Sequence, residues 1–526
     1  MNTKQLKAKI LDLAIHGKLV PQNPDDEHAS KLLEKIREEK AKLIAEKKVK
    51  ADKNDSYIFV GDDKRHYEKM PDGTVKDLED EIPFDVPEGW AWCRLGEIFF
   101  HTTGKALKKS NAKGTLRKYI TTSNLYWDSF DFTEVREMYF TDEELEKCTI
   151  KKGDLVLCNG GDVGRAAIWN YDEDICYQNH VSRLRPKSNG INNKLYLYLL
   201  MFYKEQGLLG GKGIGITSLS ANDLLSALFP LPPINEQGKI VAEIERIFTL
   251  IDSLESEKQD LQVAIKQAKS KILDLAIHGK LVPQDSSDEP ASVLLEKLRA
   301  EKEAKIKSGE LKRDKNDSYI YKSTTDNCHY EKFKGKDAVC IEDEIPFEIP
   351  ESWQWSKLGQ ICTKLVDGDH NPPKGIEEKT NYIMASSRNI NHDTVEDLEN
   401  VRYLTKEVFE TENQRTKAKK GDIFFTSVGT LGRSCIYDGN LNICFQRSVS
   451  VLNTQIENKY LKYFFDSSFY QNYVVEHATG TAQQGFYLQE MSESYVAVPP
   501  ISEQQRIVSK IEELFTVLDQ IQNNLI

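Results

Sequence analysis

A stretch near the start of this chain recurs letter for letter in its middle, and that repeat constrains the fold more than composition does. Residues 9–22 read Lys-Ile-Leu-Asp-Leu-Ala-Ile-His-Gly-Lys-Leu-Val-Pro-Gln, and residues 271–284 read the same, an offset of 262. Shorter passages follow in the same order. Residues 52–58 recur at 314–320, and residues 79–84 at 342–347. Trp90-x-Trp92-x-x-Leu95-Gly96 answers to Trp353-x-Trp355-x-x-Leu358-Gly359. Pro232-Pro233-Ile234-x-Glu236-Gln237 answers to Pro499-Pro500-Ile501-x-Glu503-Gln504. A chain of 526 residues is expected to hold two or more domains; here the two are copies of one unit.

The joint between the copies is a helix. Ile240, Ile244, Ile247, Ile251, Leu254, Lys258, Leu261, Ile265, Ala268, Ile272 and Leu275 alternate in steps of 4 and 3. A seam of this kind, sustained over five heptads, predicts a coiled coil rather than an ordinary surface helix. At 1.5 Å per residue the stretch makes a rod of roughly 54 Å. Gly279 and Pro283 mark its end. The tail carries the start of the same seam in Ile507, Ile511, Leu514, Leu518, Ile521 and Leu525, and the head carries its continuation in Leu6, Ile10 and Leu13. Tail and head together spell one copy of the central helix. We therefore expect an α+β protein with a circular, pseudo-twofold repeat, in which the split helix lies antiparallel against the intact one and the chain ends meet. The expected division is 1–51 helical, 52–235 globular, 236–313 central helical, 314–502 globular and 503–526 helical. Residues 29–50 and 291–311 read as a second, highly charged helix in each copy, a solvated face or a partner surface.

Composition sets the remaining bounds. Net charge is -12, which argues against strong nonspecific nucleic-acid binding, so any DNA contact must be local. Nine scattered cysteines without a Cys-x-x-Cys pair make zinc and a disulfide framework poor expectations. With no long apolar run and no signal-peptide core at the start, a cytoplasmic location is expected, with no membrane partner. Within the globular segments, Gly153-Asp154 and Gly421-Asp422 each read as a turn leading into a buried strand. Gly161-x-x-Gly164-Arg165 and Gly429-x-x-Gly432-Arg433 follow at the same distance.

Recurring helices, divergent globular segments and a circular repeat resemble the specificity subunits of type I restriction–modification systems. The resemblance is carried by the two Trp-x-x-x-x-Leu-Gly motifs, the Gly-Asp and Gly-x-x-Gly-Arg turns, both Pro-Pro-Ile-x-Glu-Gln helix starts, and the run from Asp367 to Lys374. It implies that each globular segment is a target recognition domain reading half of a split DNA site. It implies that the coiled coil is a ruler, that two methyltransferase subunits dock on the helices, and that restriction–translocase subunits join through them. S-adenosylmethionine, ATP and Mg2+ would then act in those partners, with no cofactor or metal in this chain. A rod of roughly 54 Å outreaches a DNA turn of ~34–36 Å, so two readers on it can address one face of a duplex.

Candidate DNA-contacting residues follow from side-chain chemistry. Lys105, Lys108, Lys109, Lys113 and Arg117 fall in a basic run without an acid; phosphate contact and a solvated loop are the two readings. Arg165 and Arg433 are candidates for a phosphate, a base or a structural ion pair. Gln178, Asn179 and His180 align with Gln446, Arg447 and Ser448; amides match adenine and arginine matches guanine, though drift would give the same divergence. Asn124 aligns with Asn389, beside Arg388. His370 and Lys374 complete the set. Trp90, Trp92, Trp353 and Trp355 read as core anchors. His16 and His278 read as helix-end contacts rather than catalytic groups.

Catalysis by the chain itself is not expected. Asn371-Pro-Pro-Lys374 resembles the Asn-Pro-Pro-aromatic loop of adenine methyltransferases but has lysine in place of the aromatic ring, and no glycine-rich cofactor loop precedes it. The glycines from Gly210 to Gly215 lack the phosphate-loop pattern. The rival readings are a noncatalytic coiled-coil scaffold that binds only proteins and a self-sufficient DNA enzyme.

Overall fold

A computed structural model describes residues 2–47, 55–107, 113–209, 218–310, 317–480 and 484–525. It divides into two compact units, Met1–Glu257 and Lys258–Ile526. The division falls inside one helix, Ile234–Ile277. No helix among the described residues is long and apolar enough to cross a membrane.

In the first unit, helix Thr3–Ile15 starts at Asn2, whose side chain accepts from the Gln5 amide while Gln5 reaches back. It buries Leu11, Ala14 and Ile15. Helix Ala29–Ala45 follows, then a three-stranded antiparallel sheet of Tyr57–Val60, His66–Lys69 and Val75–Asp77. Strand Ala91–Arg94 pairs with Leu228–Leu231, so the globular segment leaves beside the point where it entered. Between them lie two four-stranded sheets. One orders Thr149–Ile150, Ile175–Tyr177, Thr115–Ile120 and Arg136–Phe140; the other orders Ala166–Ile168, Leu155–Cys158, Val181–Pro186 and Phe99–Thr103. Helix Asn193–Glu205 packs on the second sheet, and Leu155, Leu157, Leu184, Leu199 and Phe229 meet in its core.

The second unit repeats this plan. Gln354–Lys357 pairs with Tyr495–Val498. Cys362–Asp367, Val449–Thr454, Ile423–Thr426 and Ser434–Ile436 form a four-stranded sheet, and Arg402–Tyr403, Tyr382–Ala385 and Asn442–Phe445 a three-stranded one. The two strands expected after the Gly-Asp turns, Leu155–Cys158 and Ile423–Thr426, are buried at every residue. Gly153 and Gly421 have φ of 90° and 91°, a region side chains avoid, which explains why glycine recurs there. The charged helices end earlier than expected, at Ala45 and Lys307.

Each unit contains an antiparallel helix pair. In the first, Lys7 bonds Asp252 at 2.5 Å and lies over Phe248, while Gln22 reaches Glu236. Rising numbers on one strand of contacts meet falling numbers on the other. In the second, Lys269 pairs with Asp519 and lies over Phe515, while Gln284 reaches Glu503 and Arg506 pairs with Asp288.

The expected seam needs correction. Ile240, Ile244, Ile251 and Ile265 are buried, but Leu254 and Leu261 are 62% and 40% exposed. Toward the helix end the fully buried side chains are Leu273, Ala276 and Ile277, whereas Ile272 and Leu275 are half-buried. The reason is local: those last turns face the globular core of the second unit, one residue round from the seam. Leu11, Ala14 and Ile15 do the same in the first unit.

Candidate nucleic-acid interface

In each unit one set of backbone hydrogen bonds gathers several turns. In the first, Lys105 N donates to Tyr177 O, Gln178 N to Ile120 O, Asn179 N to Lys105 O, Asn159 N to His180 O and Leu219 N to Asn159 O. In the second, Asp369 N donates to Phe445 O, Gln446 N to Ala385 O, Arg447 N to Asp369 O, Ser427 N to Ser448 O and Phe486 N to Ser427 O. The two networks match bond for bond. Gly104 and Gly368 make the approach possible: a Cβ there would lie 2.2 Å from the carbonyl oxygens of Tyr177 and Gln446. Gln178–His180 and Gln446–Ser448 occupy equivalent positions in the sequence, and the structure adds Asn159, Ser427, Leu219 and Phe486 to the cluster. Asn159 and Ser427 follow the buried strands, a signal too common to single them out.

The structure separates the candidates into groups that hold this scaffold and groups that project from it. Asn124 and Asn389 hold it. Each is buried; its side-chain oxygen accepts from the amide of Thr121 (2.9 Å) or Ser386 (3.0 Å). Its side-chain nitrogen donates to Asp131 and Glu134 carbonyls, or to those of Glu396 and Asp397. All its capacity is used on the turn, which corrects the reading of these asparagines as DNA contacts. Lys105 is likewise a correction. It is 8% exposed, and its Nζ donates to Tyr139 O at 2.7 Å and to Glu144 at 2.6 Å. Arg165 is half-buried, donates to Thr122 O, pairs with Asp162 and lies over the Tyr126 ring. Of its alternative readings, the structural one is observed.

Gln178 and Gln446 are half-buried and bridge to Lys105 and Asp369. Arg433 is half-buried; no bond to its guanidinium is present among the described residues. His370 is exposed but its Nε2 bonds Asp367 at 2.7 Å, and Asp367 also holds Arg415. Burial pushes the Asp367 carboxyl up, but the hydrogen bonds from Arg415 and His370 outweigh it and hold the carboxyl below its usual range. Arg402 donates to the carbonyls of Pro372 and Pro373, clamping the loop that carries exposed Lys374. Lys113 and Arg117 are exposed. Lys108, Lys109 and the glycines from 210 to 215 lie outside the described residues, as do repeat residues 52–54 and 314–316.

What projects differs between the units. In the first, Ser123 and His180 are exposed and Asn179 is half-buried; in the second, Arg388 and Arg447 are exposed and Ser448 is half-buried. Ser448 Oγ accepts from Ser387 N at 3.0 Å, which ties the two arginine-bearing turns together. Among the described residues the Lys105–Glu144 ion pair has no counterpart in the second unit. Its positions are taken by Asp369 and Glu412, and burial together with the Asp369 carboxylate raises the Glu412 carboxyl.

The recurring motifs turn out to be structural too. Trp90 Nε1 donates to buried Glu236 at 2.9 Å, and Gln22 donates to its other oxygen at 2.7 Å. Trp353, Gln284 and Glu503 repeat the arrangement. Gln237 and Gln504 cap backbone groups across the same joint. Asp154 binds Arg185 through both oxygens, and Asp422 binds Lys364 and Asn453. His16 and His278 bond Asp12 O and Asp274 O at their helix ends and pack on Phe84 and Phe347.

A sequence model described as "Type I restriction modification DNA specificity domain" matches residues 87–263 and again 350–526, more than half of the chain. The chain belongs to this family. The specificity subunit of the EcoEI type I restriction enzyme of Escherichia coli is 25% identical, across 99% of this chain and 90% of its own length. That of the EcoKI enzyme of Escherichia coli strain K12 is 21% identical, across 84% and 85%. Among solved structures, a chain from "Structural basis underlying complex assembly and conformational transition of the type I R-M system" shares the fold with a TM-score of 0.52 at 17% identity, covering 84% of this chain and 94% of that one. Both matched specificity domains end in the long helices, and each begins just before its paired tryptophans.

Proposed function

We propose that this chain is the noncatalytic DNA-reading subunit of a type I restriction–modification complex. One observation carries the reading most: a single backbone network is built twice, with different exposed side chains at the same positions. A partner that needs the same frame twice but different surface chemistry each time is a two-part sequence. Residues 52–235 and 314–502 are the two readers. Residues 1–51 and 503–526 complete a split counterpart of the central helix in 236–313, giving a pseudo-twofold antiparallel coiled coil that sets the reach between half-sites. Two methyltransferase subunits dock on these helices, and restriction–translocase subunits join through them. The specificity subunits named among the relatives support this assembly. S-adenosylmethionine, ATP and Mg2+ act in those partners.

Among the projecting candidates, Asn179, His180, Arg388 and Arg447 contact bases, and Lys113, Arg117, Lys374 and Arg433 serve phosphate or base contacts. Methylome sequencing of a host expressing the methyltransferase partner, with and without this chain, tests the proposal. Methylation at a split motif that appears only with the chain is expected. Capture of partner proteins without any preference among randomised duplexes would instead make the chain a protein scaffold.

A further inference from the structure

We infer that the second reader selects a half-site containing guanine through Arg388 and Arg447, while the first reader uses no arginine at the matching positions. This rests on the DNA-reading function proposed above and deepens it. Arg388 aligns with Ser123, and Arg447 with Asn179, on turns that share their backbone hydrogen bonds. Both arginines are exposed, and no carboxylate pairs with either among the described residues. Their turns are joined twice, by Gln446 N to Ala385 O and by Ser387 N to Ser448 Oγ, each at 3.0 Å. The two guanidinium groups therefore start from adjacent roots on a fixed frame.

A guanidinium donates two parallel hydrogen bonds to the O6 and N7 acceptors of guanine; adenine places an amino donor where O6 would be and is rejected. Phosphate is the competing acceptor for an exposed arginine. Asp369 and Glu412 sit at the root of the Arg447 turn, where the first unit has the Lys105–Glu144 pair. Negative charge there repels a phosphate and leaves a base edge as the better partner. At the first reader Ser123, Asn179 and His180 offer hydroxyl, amide and imidazole groups, of which the amide matches adenine.

The test uses the complex with its methyltransferase partner. Exchanging residues 314–502 for those of a relative assigns one half-site to the second reader. Arg388→Ala and Arg447→Ala, singly and together, are then compared with the Lys and Gln replacements by methylome sequencing. The inference expects a required guanine in the second half-site. It expects discrimination at that guanine to fall roughly 5- to 100-fold in the Ala variants and less in the Lys variants, which keep donors for O6 and N7, with the first half-site as strict as before. A second half-site without a required guanine would overturn it. So would unchanged choice in the Ala variants, or loss of methylation at all sites with both Ala and Gln. A wild-type complex that methylates without sequence preference would remove the DNA-reading function itself.

Discussion

At the scale of single residues, several side chains that recur between the copies have a buried partner. Trp90 and Glu236 show why: an indole hydrogen bond meets a carboxylate that burial has raised above its usual pKa. Glu236 binds its proton more tightly folded than unfolded, so the part of stability linked to this group falls as pH rises through that raised value. Trp90→Phe leaves the carboxylate with Gln22 alone. It should cost about 1–3 kcal/mol in urea unfolding, more at pH 8 than at pH 5; an unchanged midpoint would mean the bond contributes nothing. Glu68 has the opposite sign. Arg94 holds its carboxyl below the usual range, so the stability from this pair is present at neutral pH and lost as pH falls below that range. Thermal melts between pH 7 and 3 should show a steeper loss in the native chain than in Arg94→Met. Lys105→Ala should lower stability and leave sequence choice intact, because its charge is spent on Glu144. Lys105 and Asn124 look like DNA contacts in sequence because a lysine in a basic run and a turn asparagine have the same donors whichever way they point. Their partners, Glu144 and the Asp131 and Glu134 carbonyls, become visible only after folding.

At the scale of elements, the 44-residue helix was legible from its period, and so were the buried strands after the Gly-Asp turns. Periodicity specifies a face and says nothing of what covers each turn of it. That is why the period assigns Leu254 and Leu261 to the seam although both are exposed, while Ile251 and Ile265 are buried. The contrast makes a prediction. Ile251→Asp or Ile265→Asp places an unpaired charge in a buried site and should unfold part of the helix pair, with a melting temperature lower by several degrees. Leu254→Asp should change the stability of the isolated chain by less than about 0.5 kcal/mol. If methyltransferase subunits dock on this helix, Leu254→Asp should still weaken assembly, read by size-exclusion chromatography of the mixed subunits; full assembly would remove Leu254 from the docking surface.

At the scale of the whole molecule, duplication was the most legible property, because identical passages at a fixed offset need no structural assumption. The two networks of backbone bonds and the two matches to the specificity family agree with it. What distinguishes the halves, Ser123 and Asn179 against Arg388 and Arg447, could not be ranked from sequence, since drift and specificity leave the same trace. On the proposed function, two readers choose their bases separately. Replacing residues 314–502 with the matching segment of a relative that has a different target, and sequencing the methylome of the host, measures this directly. One half of the methylated motif should change and the other half and its partner base should stay as they were; a motif altered in both halves would contradict the account.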